Sequence, residues 1–165
     1  MVQMVMKKVK NEKGLTLIEL LAVVVILGII AAIAIPAIGG IIDNSKKDAH
    51  VANAMQLIHS AKIATAGDAK ARPAANGTLY ISAEWLIEKG YIDTLRDPDG
   101  GTYAGVPTTP PSGSADPSST AITSAGVKVT ASNNGALTYE VLLANATRGF
   151  KAFTAEASVT RENVK

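Results

Sequence analysis

The sequence predicts an α+β chain: a long N-terminal α-helix, membrane-embedded over its first half, packs its second half on a small antiparallel β-sheet. Three observations predict it. Every residue from Leu20 to Ile35 is apolar or Gly28, and the run continues through Pro36 and Gly39-Gly40 to Ile42 before Asp43 ends it. Beyond Asp43, Val51, Met55 and Ile58, with Ala54 and Ala61, recur at spacings of three and four, the period of an amphipathic helix. Toward the C-terminus the apolar residues alternate instead, the period of strands with one buried face.

The apolar run comes first. At 1.5 Å per residue, roughly 23 residues reach about 30 Å, the thickness of a bilayer core. Lys7, Lys8, Lys10 and Lys13 precede it against a single Glu12, which puts the N-terminus in the cytoplasm and the bulk of the chain outside. A secretory signal peptide has an apolar region of about 7 to 15 residues followed by a small-residue cleavage site. This run is too long, and Ala31, Ala32 and Ala34 lie inside it. A plain signal anchor is the simpler alternative.

The boundary Lys13-Gly14-Leu15-Thr16-Leu17-Ile18-Glu19 separates these readings, because a carboxylate stands inside the apolar run. Here the chain resembles the type IV pilin and pseudopilin family, whose members carry a short basic leader ending in glycine, then an apolar stretch with Glu at its fifth position. Glu19 is the fifth residue counted from Leu15. The resemblance covers residues 7 to 66 and is most specific from Lys13 to Pro36. Leu15 departs from the Phe commonest there, and Met6 offers a second start that shortens the leader.

The resemblance implies a leader of residues 1–14, a membrane and assembly helix over 15–42, an amphipathic helix over 43–66, and an exported domain over 67–165. It implies cleavage after Gly14 by a prepilin peptidase that also methylates the Leu15 amine. Gly14 lacks a side chain and lets a protease approach the backbone closely. Glu19 either snorkels to the interface or pairs with the Leu15 amine of a neighbouring copy and sets axial register. Pro36 removes a helical hydrogen bond and Gly28 weakens the helix, so Gly28 to Pro36 is expected either to kink or to lose helicity on assembly. A continuous helix over 15–66 would be roughly 78 Å long. One copy cannot bury its apolar half outside the membrane, whereas a bundle of copies can.

His50 and His59 lie nine residues apart, about 180° around a helix, and cannot share an ion within one chain. Both are expected to be solvated or at contacts between copies. Gly67-Asp68 and Arg72-Pro73 end the long helix and open a loop to Gly77. Ser82 is the expected N-cap of a short helix through Lys89 closed by Gly90. Asp93, Asp97 and Asp99 offer oxygens that calcium could use, although Asp-Pro-Asp-Gly is also an ordinary turn. Residues 105 to 119 read as a flexible surface loop. Val127 to Ala131, a turn at Asn133-Asn134-Gly135 and Leu137 to Leu143 read as a hairpin, Phe150 to Val159 as a further strand, and the tail from Arg161 as frayed.

With 165 residues the chain is most simply one folded domain behind its helix, and a net charge of +2 creates no field to attract nucleic acid. No cysteine is present, which excludes disulfides, thiolate metal sites and cysteine nucleophiles. No nucleophile motif, phosphate loop or His-carboxylate cluster at metal spacing appears, so no enzyme is expected. The expectation is a structural subunit, a prepilin of the major type IV pilin kind. Its partners would be copies of itself, the peptidase, the inner-membrane assembly machinery and the membrane before assembly, with a final place in a surface filament. A pseudopilin of secretion or competence is the nearest alternative, and a signal-anchored binding module is the alternative of another class.

Overall fold

The structure is a computed structural model that describes residues 16–109 and 111–165. The chain divides into two units between Ile42 and Asp43. Helix α1, Leu17–Gly67, contributes to both. The predicted leader, with Gly14 and Leu15, lies outside the described residues.

In the first unit, none of the described residues from Thr16 to Ile42 is buried. Fully apolar side chains such as Ile33 (72% exposed) stand free all round the helix. By length and composition this helix is able to cross a membrane. A helix apolar on every side has no face that favours water, so its burial must come from lipid or from other copies.

The second unit buries one stripe of α1, formed by His50, Ala54, Leu57, Ile58, Ala61, Ala64 and Thr65. These residues recur at three and four, which places them on one face. The helix stops at Gly67, where the Asp68 carboxylate caps a 3-10 turn over Ala69–Ala71 by accepting from the Lys70 N–H. The sheet contains β1 (Thr78–Ser82), β2 (Gly126–Ala131), β3 (Leu137–Ala144) and β4 (Gly149–Ala155). All neighbours are antiparallel in the order β1-β2-β3-β4. Cross-strand pairing aligns Ile81 with Val127 and Val127 with Val141, and these fully buried residues form the face that shares one core with Leu57, Ile58 and Ala61 of α1. Gly126 is required where β1 and β2 meet, because a Cβ there would lie 2.4 Å from the Ile81 carbonyl oxygen.

Between β1 and β2 the chain forms α2, Ala83–Glu88, with Ser82 as N-cap accepting from the Trp85 N–H and with Gly90 at a positive φ of 73° beyond its end. The β2-β3 hairpin falls where the alternation and the Asn-Asn-Gly turn place it. The loop after Arg72 ends at Gly77 as expected and passes into β1, a strand so short that its Thr-Leu-Tyr-Ile-Ser alternation is hidden against the following helix. Three expectations need correction. The last strand ends at Ala155, and Glu156–Ser158 is a 3-10 turn. The tail is not frayed: Val164 is buried, and the Lys165 backbone exchanges hydrogen bonds with Gly149. The 105–119 segment is irregular yet anchored, with Val106 buried and Ser118 bridged to Tyr80.

Candidate functional site

At the start of α1, Thr16 and Glu19 form a reciprocal capping box. The Thr16 N–H and hydroxyl both donate to Glu19 Oε2 at 2.7 Å, and the Glu19 N–H donates to Thr16 Oγ1 at 3.3 Å. The pattern Thr-x-x-Glu satisfies helix N-terminal donors that nothing else in the helix can reach. Within one copy, the carboxylate of Glu19 is therefore held by its own helix end. The Thr-x-x-Glu spacing is present in the sequence, but the apolar run that follows makes the carboxylate of Glu19 stand out and hides the capping role of Thr16. Gly28 to Pro36 is helical throughout, with Pro36 inside the helix. A Cβ on Gly28, Gly39 or Gly40 would meet nothing within 4 Å.

A second constellation lies in the other unit, where the buried stripe of α1 meets the turn at residues 97–99. His50 is fully buried, contrary to the expectation that both histidines are solvated or at contacts, whereas His59 is exposed. The Asn53 amide donates to the Tyr103 hydroxyl oxygen at 3.0 Å, which leaves the phenolic O–H to donate to His50 Nδ1 at 2.8 Å. This order assigns the imidazole proton to Nε2, which donates to Asp99 Oδ2 at 3.0 Å. Asp99 also meets Arg148 Nε at 3.1 Å and Lys46 Nζ at 3.4 Å. Asp97 accepts from the Asp99 N–H at 3.0 Å and from the Asn145 amide at 2.6 Å. The network thus ties α1 to the 97–99 turn and to the β3-β4 connection.

Charge follows this geometry. The hydrogen bond from His50 is the largest influence holding the Asp99 carboxyl below its ordinary value; burial opposes it, while Asn145, Arg148 and Lys46 reinforce it. Burial pushes the Tyr103 phenol up to about 12, with the nearby Asp97 and Asp99 charges adding to the effect and the Asn53 hydrogen bond opposing it. At the rim, Arg148 donates to Asp43 at 2.7 Å and is the main reason that the Asp43 carboxyl is also held low.

His50, Asp97 and Asp99 place one donor atom each within 4.8 Å of one another, so the fold assembles a His-carboxylate cluster that no local spacing revealed. The sequence signal was His50 itself, which falls on the same helical stripe as Ala54 and Ala61. Among the described residues, Asp93 is not in the cluster and is exposed, so the three aspartates weighed for calcium do not converge. Calcium takes six to eight oxygens, and this set offers a protonated imidazole nitrogen beside a guanidinium and an ammonium. The donors do not fit that ion; they fit a closed polar clamp in which every buried side-chain polar atom of the described residues has a partner.

Residues 9–35 match the model of the prokaryotic N-terminal methylation motif. No curated protein matches the chain, and no solved structure matches it. The motif marks structural pilin-like subunits rather than enzymes, and with it come peptidase processing, assembly into a filament and a membrane-anchored precursor. In this motif and the apolar helix it introduces, the chain carries the N-terminal hallmark of type IV pilin and pseudopilin prepilins.

Proposed function

We propose that the chain is a major type IV prepilin, cleaved after Gly14, methylated on the Leu15 amine and polymerised through residues 15–42 into a surface filament. The observation that supports this reading is the coincidence of the methylation motif with a helix that buries none of its apolar side chains over residues 17–42 in one copy. Glu19 is the register residue. In the single copy, Thr16 supplies its donors. Cleavage adds a cationic amine at Leu15, and in the polymer the Glu19 carboxylate meets the Leu15 amine of a neighbour in a setting where water contributes little screening.

Gly28 and Pro36 serve assembly differently. Both positions weaken a helix, Gly28 by backbone entropy and Pro36 by a missing donor. The segment between them loses helicity when copies pack, lengthening that part of the chain without breaking the flanking turns. The exported unit then presents the filament's surface.

The test is the intact mass and N-terminal sequence of protein sheared from the surface of cells, beside a Glu19→Ala strain. A methylated Leu15 terminus in filaments, lost from the sheared fraction in the variant, is the expected result. Uncut protein confined to the membrane would refute the proposal and leave a signal-anchored binding module. A trimmed, methylated protein that forms only short fibres retained in the envelope would identify a pseudopilin.

A further inference from the structure

The step Asn-Gly occurs twice in the chain, at Asn76-Gly77 and at Asn134-Gly135. In both, the glycine leaves its backbone nitrogen unscreened by a side chain, so that nitrogen is able to attack the carboxamide carbon of the preceding asparagine. The fold treats the two steps differently. Asn134 is exposed at the tip of the β2-β3 hairpin, where its Oδ1 accepts from the Ala136 N–H at 3.1 Å and from the Ser132 hydroxyl. The first of these bonds closes a ring that contains the Gly135 nitrogen and so keeps the carboxamide carbon beside it. Both bonds polarise the carbonyl and stand where negative charge develops on oxygen during attack. Gly135 sits at a φ of 80° with nothing within 4 Å of where a Cβ would be. Its N–H donates to the Ser132 carbonyl at 3.0 Å, a single bond that attack has to break. Asn76 is also exposed, but its amide donates to Asn133 Oδ1 at 3.3 Å, which fixes the nitrogen rather than activating the carbonyl. The Gly77 N–H donates to the Ala74 carbonyl at 2.8 Å, and a Cβ on Gly77 would lie 2.9 Å from that same oxygen.

We infer that Asn134 is a site of self-modification, converted by its own turn to aspartate and isoaspartate, while the fold protects Asn76. The Gly135 nitrogen gives its proton to water or hydroxide and bonds to Asn134 Cγ. The Cγ–Nδ2 bond breaks, ammonia leaves, and a succinimide ring remains. Water then opens the ring. Addition at Cγ releases an aspartate in the original chain, whereas addition at the backbone carbonyl reroutes the chain through Cβ and Cγ as isoaspartate. Water is the co-reactant throughout, and nothing is oxidised or reduced. One carboxylate replaces a neutral amide, so the formal net charge falls from +2 to +1. The isoaspartyl product also inserts one backbone atom into a turn closed by the Ser132 N–H on the Ala136 carbonyl at 2.9 Å, which loosens the end of the hairpin.

The test is a time course of the detergent-solubilised full chain in mildly alkaline buffer, followed by peptide mapping. Mass spectrometry reads the one-dalton gain at each asparagine, and electron-transfer fragmentation separates isoaspartate from aspartate. In the folded chain Asn134 should convert about tenfold faster than Asn76, the rate ratio expected from a barrier difference worth one hydrogen bond. In urea the two rates should converge, because the local steps are alike once the turns are gone. Ser132→Ala should slow conversion at Asn134 several-fold and leave Asn76 as it was, with Trp85 emission confirming that the variant is folded. Asn134 converting no faster than Asn76 in the folded chain overturns the inference. So does a preference that persists unchanged in urea, which would place its cause in the local sequence, and so does a Ser132→Ala variant in which Asn134 converts at the original rate.

Discussion

Residues 17–42 and 43–67 belong to one helix but are stabilised by different means. In the first segment, large aliphatic side chains are exposed on all sides. In the second, Leu57, Ile58 and Ala61 are fully buried while Ala52 and Gln56 on the opposite side are exposed. The same helical period therefore supports two kinds of burial: one complete within a single copy, the other left to lipid or to further copies. The difference shows why helix formation alone says little about function. Function is carried by which side chains remain unsatisfied after folding.

The largest test of this contrast is a pair of truncations. Leu57→Ala should destabilise the second unit by about 2–5 kcal/mol, because it removes buried methyl groups and leaves a cavity. Leu27→Ala should leave the denaturation midpoint of that unit unchanged in the solubilised full chain. Equal losses from both would break the contrast. His50→Ala comes next, at about 1–3 kcal/mol, since it removes the acceptor of the buried Tyr103 O–H and one donor to Asp99. The loss should appear in urea denaturation as a lowered midpoint.

Acid and alkali sharpen the same point. A carboxyl held low when folded contributes stability above its ordinary value, and that contribution disappears as pH falls through the folded value. Asp99 is held low mainly by His50, and Glu88 is lowered to about 2 mainly by the Ser114 side chain. The second unit should therefore lose stability below about pH 4, and Asp99→Asn should flatten that dependence. Tyr103, raised to about 12 chiefly by burial, acts in the opposite range. Its phenol ionises at lower pH in the unfolded chain than in the folded one, so stability should fall between about pH 10 and 12. Tyr103→Phe should remove that alkaline component.

Smaller effects belong to the helix start and the surface. Thr16→Val should cost about 1 kcal/mol of cap stability, read as faster amide exchange over Leu17 to Leu20 with the second unit unchanged. Arg161→Ala breaks an ion pair whose two partners are about half exposed, and should leave the midpoint within error.

Much of this was legible because the signals were local. The apolar run, the cap at Ser82 with Gly90 behind α2, and the Asn-Asn-Gly hairpin each depend on neighbouring residues whose chemistry admits few alternatives. The polar clamp was hidden because its members come from distant segments: His50 and Asp99 are separated by 49 positions, and His50 and Tyr103 by 53. Only tertiary packing joins them. The anchored tail was hidden for a related reason, since Arg161 to Lys165 looks polar until Val164 finds the core and the Lys165 backbone finds Gly149.

Trp85 gives the molecule a built-in optical probe. It is the only tryptophan in the chain, is fully buried, stacks on Tyr91 with ring centroids 5.7 Å apart, and donates its indole N–H to Asp116 at 3.3 Å. Its emission should shift to longer wavelength when the second unit opens or when the 105–119 segment detaches, because either event admits water to the ring. The segment from Leu17 to Ile42 contains no Trp, Tyr or Phe and is invisible at the same wavelengths. Fluorescence of this chain in a bilayer, in detergent or in a polymer therefore reads the second unit against a dark background.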